Sequence, residues 1–270
     1  MKSILLHVGD DPYFESRLQG ALDLTRFTEG YLECLQTRRV PAFLGADAAG
    51  FAGSAAMVVQ LIEDEAKQAE ADRAKLSARL TGEGVPFGFV DAMGEPSTTL
   101  VDRSLLADAI VLTLGGNDKE LTNVLASVVT RADAPVLAMP HNMNRLPLEK
   151  PIMVAWKATA EAAHAVKRSV SLLQKASRVD ILTIDPPGVG DFPPLAVASY
   201  LSRHGIKADL HERTAGGGST SDTLLATARE LGAGLIVMGG YGRSRAMEFL
   251  LGGVTRRLLH ASDVALLMAH

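Results

Sequence analysis

Residues 235–254 read Leu-Ile-Val-Met-Gly-Gly-Tyr-Gly-Arg-Ser-Arg-Ala-Met-Glu-Phe-Leu-Leu-Gly-Gly-Val. An apolar run ending in glycine, then a glycine-punctuated stretch, then an amphipathic run predicts a buried strand that opens into a long loop and a helix. That order brings free backbone N–H groups and a helix N-terminus around one place, which suits an anion such as phosphate. The stretch lacks the Gly-Lys-Ser/Thr ending of a P-loop, and its glycines are spread wider than those of the dinucleotide fingerprint.

Outward from this stretch the same pattern repeats. Ile4 to Val8, ahead of Pro12, corresponds to Ile152 to Trp156, ahead of the alanine-rich run from Ala158, at an offset of 148. Leu80 to Val85 corresponds to Leu201 to Ile206 at an offset of 121, so the first half carries 27 extra residues before that point. They include Gly45 to Ser54, followed by a long charged helix expected from about Ala55 to Leu80. Ile110 to Leu112 corresponds to Leu235 to Val237 at 125, and Val136 to Met139 to Ala265 to Met268 at 129. Strands alternating with helix-length stretches argue for parallel sheets covered by helices. The expected fold is α/β, with two tandem doubly wound domains, each a five-stranded, mainly parallel sheet with helices on both faces. The polar, proline-bracketed run from Pro140 to Lys150 reads as a linker and divides the chain into residues 1–144 and 145–270.

Composition bounds the partners. A chain of 270 residues that is 47% hydrophobic and 21% charged can bury two cores. A net charge of -4 and a pI of about 6.0 provide no basic field for nucleic acid. The one cysteine, Cys34, is expected on an amphipathic helix as a packing residue; it excludes an intrachain disulfide and fits a reducing compartment. The seven histidines show no pair at helical ligand spacing, so no structural metal is expected. The apolar run at Ile4 to Val8 is too short for a signal-peptide core, and no run reaches the roughly 18 residues that span a bilayer. A cytoplasmic protein with no membrane partner is expected.

Three local features have structural readings. Asp10 and Asp11 before Pro12 are expected to cap the first helix. Gly216 to Ser219 reads as a connection. Trp156 either packs beside a ligand or fills the sheet edge. The first half's counterpart of the glycine loop, Leu114 to Glu120, is shorter, has Asn117 where Gly242 stands, and carries Asp118 and Glu120, which repel phosphate. An anion site is therefore expected in the second half alone.

Met238 followed by Gly239, Gly242 and Gly252 is similar to the ATP-binding loop of the universal stress protein family. The resemblance to the tandem form of that family covers nearly the whole chain. It implies an adenine-nucleotide α-hydrolase-like fold in which Pro135–Met139 and Val264–Met268 pair and make an internal pseudo-dimer; further homodimerisation is left open. It also implies roles. Gly239 and Gly242 would let the backbone approach ribose and phosphates, and Gly252, Gly253 and Val254 would supply N–H groups at the next helix. Met238 would lie against the nucleoside, Ala155 and Ile184 would stand at the neighbouring strand exits, and Arg243 and Ser244 would reach phosphate. Two positions depart from the family pattern: Gly253 stands where Ser or Thr is normal, and Lys157 where Asp is usual. The implied ligand is an adenine nucleotide, ATP foremost, with Mg²⁺, in a stress-response regulator that acts on a protein partner. No residue is placed as a catalytic base. The alternatives are a nucleotide-free interaction module and an enzyme that activates its substrate at the α-phosphate.

Overall fold

The computed structural model describes residues 1–38, 52–115, 118–185, 193–240 and 253–270. The first half contains β1 (Ser3–Val8), α1 (Phe14–Thr28), β2 (Tyr31–Arg38), α2 (Ala52–Thr81), β3 (Phe87–Met93), α3 (Pro96–Arg103), β4 (Ala109–Leu114), α4 (Lys119–Arg131) and β5 (Val136–Pro140). The second contains β6 (Ile152–Ala155), α5 (Ala160–Leu173), β7 (Val179–Ile184), α6 (Pro194–Arg203), β8 (Ala208–Arg213), α7 (Thr220–Glu230), β9 (Leu235–Gly239), α8 (Gly253–Ala261) and β10 (Ala265–Ala269).

All ten strands join one sheet in the order β3-β2-β1-β4-β5-β10-β9-β6-β7-β8. Within each half every pairing is parallel, and the halves meet through the antiparallel pair β5–β10, where Leu137 faces Leu267. Residue patterning explains which strands lie where. The continuous apolar run of β4 is buried on both faces, as a central parallel strand must be, whereas the edge strands β3 and β8 alternate partly exposed positions. One core packs under α1, α2, α5 and α6, the other under α3, α4, α7 and α8. This is the doubly wound α/β arrangement expected from the repeat.

The extra length of the first half resides largely in α2, 30 residues against 10 in α6. Gly45 to Phe51 lie outside the described residues. Strand pairing also corrects two offsets. Ile4 pairs with Ala109 and Ile152 with Leu235, so Ala109 corresponds to Leu235 at 126, not 125. Ile110 pairs with Val136 and Ile236 with Leu266, which makes the last offset 130, not 129. The shift is physical. A slip of one residue exchanges the faces of a strand, and only the corrected register puts Ile110 with Ile236, and Val136 with Leu266, in the same core.

Cys34 lies in β2 and not on a helix. Leu32 and Cys34 point into the core that holds Ile4 and Leu6, a period of two, and the apolar spacing that resembled a helix face is that of a strand. Burial pushes the Cys34 thiol up to about 12, and neighbouring Glu33 adds to the rise, so it is an unreactive packing residue.

Asp108, just before β4, accepts from the backbone N–H groups of Lys2 at 2.5 Å and Ser3 at 3.1 Å and so ties the start of β1 to its neighbour. Burial pushes its carboxyl up, but these two donors and the N-terminal ammonium pull further the other way, leaving it below the usual range. A carboxyl lowered on folding contributes stability above its unfolded value near about 3.9, and that contribution fades as pH falls through the folded value. Asp108→Asn is expected to cost less than about 1 kcal/mol at pH 7, because the group is solvent-screened. The difference from the parent should shrink toward zero in urea melts below about pH 4.

Candidate functional site

In each half the strand order reverses between the first and fourth strands, and the crevice at their carboxyl ends is where open α/β sheets bind ligands. In the second half Ala155 ends β6, opposite Leu182 of β7 and Met238 of β9. Ile184 ends β7, and Gly239 ends β9. Ala155, Ile184, Met238 and Val254 pack against one core, so the fold brings these four sequence-selected residues to one face. Gly253 opens α8. Gly242, Arg243, Ser244 and Gly252 lie outside the described residues. Lys157 is exposed just past β6. Trp156 packs against the opposite core, away from Ala155, and its indole N–H is buried without an acceptor among the described residues. It fills the sheet on the side covered by α5.

Two glycines have packing reasons that the sequence did not reveal. A Cβ on Gly239 would lie 2.7 Å from the Ala162 nitrogen, so glycine is required for α5 to seat its first turn on β9. A Cβ on Gly240 would lie 2.5 Å from Cγ1 of Val129 on α4, in the other half. Gly253 differs: a Cβ there meets none of the described residues within 4 Å. Gly216 and Gly217 adopt φ of 56° and 88°, and the turn they form delivers Ser219 as the cap of α7, accepting from Asp222 N at 3.1 Å.

The helices that follow the fourth strands are electrostatically unlike. Asp118 caps α4 and accepts from Glu120 N at 2.9 Å and Leu121 N at 3.1 Å, so a carboxylate of the chain already occupies donors that would otherwise face an anion. The first turn of α8 holds no acidic residue.

The first half contains a cavity that sequence reading missed, of about 340 Å³ at the exits of β1, β2 and β4. Asp11 lines it, and the expectation of a helix cap covers only part of its bonding. The N-cap of α1 is Tyr13, whose own side chain makes no cap bond but whose backbone N–H donates to Asp11 Oδ1 at 3.1 Å. The same carboxylate is held by Arg17, at 2.8 Å from Nη1 and 2.5 Å from Nη2, while Arg17 Nε donates to the His7 carbonyl at 2.8 Å. The guanidinium side chain is only 1% exposed and requires this counter-charge. Among the described residues no group of three or more His, Cys, Asp or Glu is placed to hold a metal ion, and no helix is long and apolar enough to cross a membrane.

Comparison with known proteins follows the same lines. The model of the Universal stress protein family matches residues 149–270. A universal stress protein of Mycobacterium tuberculosis strain H37Rv is 28% identical over 237 residues, 77% of either chain. The crystal structure of a universal stress protein from Archaeoglobus fulgidus superposes at a TM-score of 0.76 over 99% of this chain and 96% of its own, with 17% identity, which is a likeness of fold. Another Archaeoglobus fulgidus universal stress protein, solved in complex with dAMP, overlaps 52% of the chain at a TM-score of 0.36, and its ligand is a fact about that protein. Residues 149–270 thus carry a domain of the universal stress protein family, and the length of the chain and its ten-stranded sheet fit a tandem form.

Proposed function

We propose that the chain is a stress-response regulator whose second unit, residues 145–270, binds an adenine nucleotide, ATP with Mg²⁺, while the first, residues 1–144, has lost that capacity. The observation that carries this reading is the convergence of Ala155, Ile184 and Met238 on one face at the strand exits, beside a helix whose first turn carries no acid. In the first unit the corresponding helix N-terminus is taken by Asp118. Nucleotide binding would bias a surface read by a protein partner in the cytoplasm, a compartment in keeping with a single buried thiol. The set holds no side chain in the position of a general base, and the role is regulatory rather than catalytic.

Gly253 supplies the test. Among the described residues nothing stands within 4 Å of a Cβ at this position, so none of them clashes with a serine there. A hydroxyl there would restore a hydrogen bond to phosphate worth about 0.5–1.5 kcal/mol. Gly253→Ser should therefore bind ATP up to about tenfold more tightly by calorimetry than the parent, with binding to adenosine unchanged. Equal gains for adenosine and ATP would remove phosphate from this position. Lys157 and Gly253 also support a second reading, the nucleotide-free interaction module, and absence of ATP binding in both parent and Gly253→Ser would establish it.

A further inference from the structure

The two end strands of the sheet are built differently. β8, at the second-half end, carries Asp209, His211, Glu212 and Arg213 among its six residues, and charges of this kind keep an edge from pairing with another chain. β3, at the first-half end, reads Phe87-Gly88-Phe89-Val90-Asp91-Ala92-Met93, with a single charged residue. That charge is matched within the chain, since Arg73 Nη1 lies 2.9 Å from the Asp91 carboxylate while its guanidinium rests 5.1 Å from the centroid of the Phe89 ring. Met93 is 63% exposed. The backbone completes the contrast. Leu32 N donates to the Pro86 carbonyl and Gly94 N to the Arg38 carbonyl, each at 2.9 Å, so the even-numbered residues of this stretch bond to β2. Alternation turns the N–H and C=O groups of Phe87, Phe89, Asp91 and Met93 outward, where they meet no partner among the described residues.

We propose that β3 is a pairing edge whose occupant is β3 of a second copy of the chain, antiparallel about Val90, so that the two sheets become one. Chemistry selects the register. Centring the pair on Asp91 sets two carboxylates face to face, a destabilising like-charge pair. Centring it on Phe89 leaves Met93 opposite Val85, outside the strand. About Val90 each outward residue finds an outward residue: Phe87 meets Met93 of the second copy, and Phe89 meets Asp91 of the second copy. The exposed methionine is then covered by an aromatic ring, a contact that thioethers favour, and Val90 packs on its own counterpart. β3 stands at the end of the sheet, remote from β9, and the inference does not depend on the nucleotide reading.

The test is sedimentation of the full chain at micromolar concentrations, which should give twice its mass of 28.6 kDa. Met93→Lys, at an exposed position, should return the single-chain mass with an unchanged melting curve, and Leu210→Lys on the other edge should leave the dimer intact. Cysteine crosslinking reads the register. Val90 faces its counterpart as a non-hydrogen-bonded pair, at a Cα separation of about 4.5 Å that a disulfide can span. Val90→Cys should therefore crosslink two copies under mild oxidation at least about tenfold faster than Ala92→Cys, whose counterparts stand roughly four residues apart along the paired strands. Cys34 is buried and does not compete. A single-chain mass for the parent overturns the inference, as does a dimer lost in Leu210→Lys or one in which Val90→Cys crosslinks no faster than Ala92→Cys. Should Met93→Lys melt early, the crosslinking comparison decides alone.

Discussion

Asp11→Ala is expected to destabilise the chain by about 3–5 kcal/mol, because it leaves a buried guanidinium without its counter-charge. Arg17 is enclosed between α1 and the ends of β1 and β4, where Nε reaches the His7 carbonyl and Nη1 the Thr113 hydroxyl. Those neutral acceptors orient the cation and do not neutralise it. The cost thus reflects the exposed penalty of an unpaired charge, not the net worth of the pair. Removing both charges gives the distinguishing result: Asp11→Ala/Arg17→Met should recover most of the loss, since a buried ion pair replaced by an apolar side chain is often close to neutral. Urea melts of the parent, both single variants and the double variant measure this directly. A double variant as unstable as Asp11→Ala would mean that the packing of Arg17, rather than its charge, is what the fold needs.

The second large effect belongs to the junction between the halves. Leu137 and Leu267 face each other across the antiparallel pair β5–β10, each 1% exposed. Leu266 and Met268 on the alternate positions enter the second core opposite Ala138 and Val136. Leu267→Ala removes apolar contact at the only strand pairing that spans the two halves in the described sheet, and should cost about 2–5 kcal/mol, the range for a leucine deleted from a core that collapses incompletely. Leu210→Ala on the edge strand β8, where the side chain is 42% exposed, is the control and should change stability by less than about 0.5 kcal/mol. Equal midpoints for the two variants would contradict a continuous core through the junction.

The sheet was legible because its strands announce themselves in opposite ways. The unbroken apolar runs at Ala109–Leu114 and Leu235–Gly239 can only be buried parallel strands, and their recurrence between helix-length stretches dictates the layering. Errors arose where a short-range pattern is ambiguous. Cys34 sits among leucines whose spacing satisfies a helix face as well as a strand, and the strand wins because β1 and β3 offer partners on both sides. The offsets slipped by one residue because apolar runs align equally well in two registers, and only the faces they present to the cores separate them. Ala155, Ile184 and Met238 could be placed at strand ends from sequence because the apolar runs mark where those strands stop. The packing requirement at Gly239 was hidden, since the first turn of α5 reaches it from more than 70 positions away in the chain. Asp11 was only half legible for a similar reason: Asp before Pro marks the helix entrance, where its carboxylate accepts from Tyr13 N, but a buried arginine six residues later gives no local sign that it needs the same carboxylate. The first-half cavity is a product of the same long-range assembly.

The most direct measurement is a calorimetric titration of the full chain with ATP and Mg²⁺, after confirming that no nucleotide accompanies the purified protein, alongside Ala155→Trp, which places a bulky side chain at the exit of β6. Saturation at about one nucleotide per chain is expected, as for one competent crevice of two, with binding lost in Ala155→Trp while its melting curve stays cooperative. No heat up to millimolar ATP, or binding that Ala155→Trp leaves intact, would contradict a nucleotide site at the second-half strand exits.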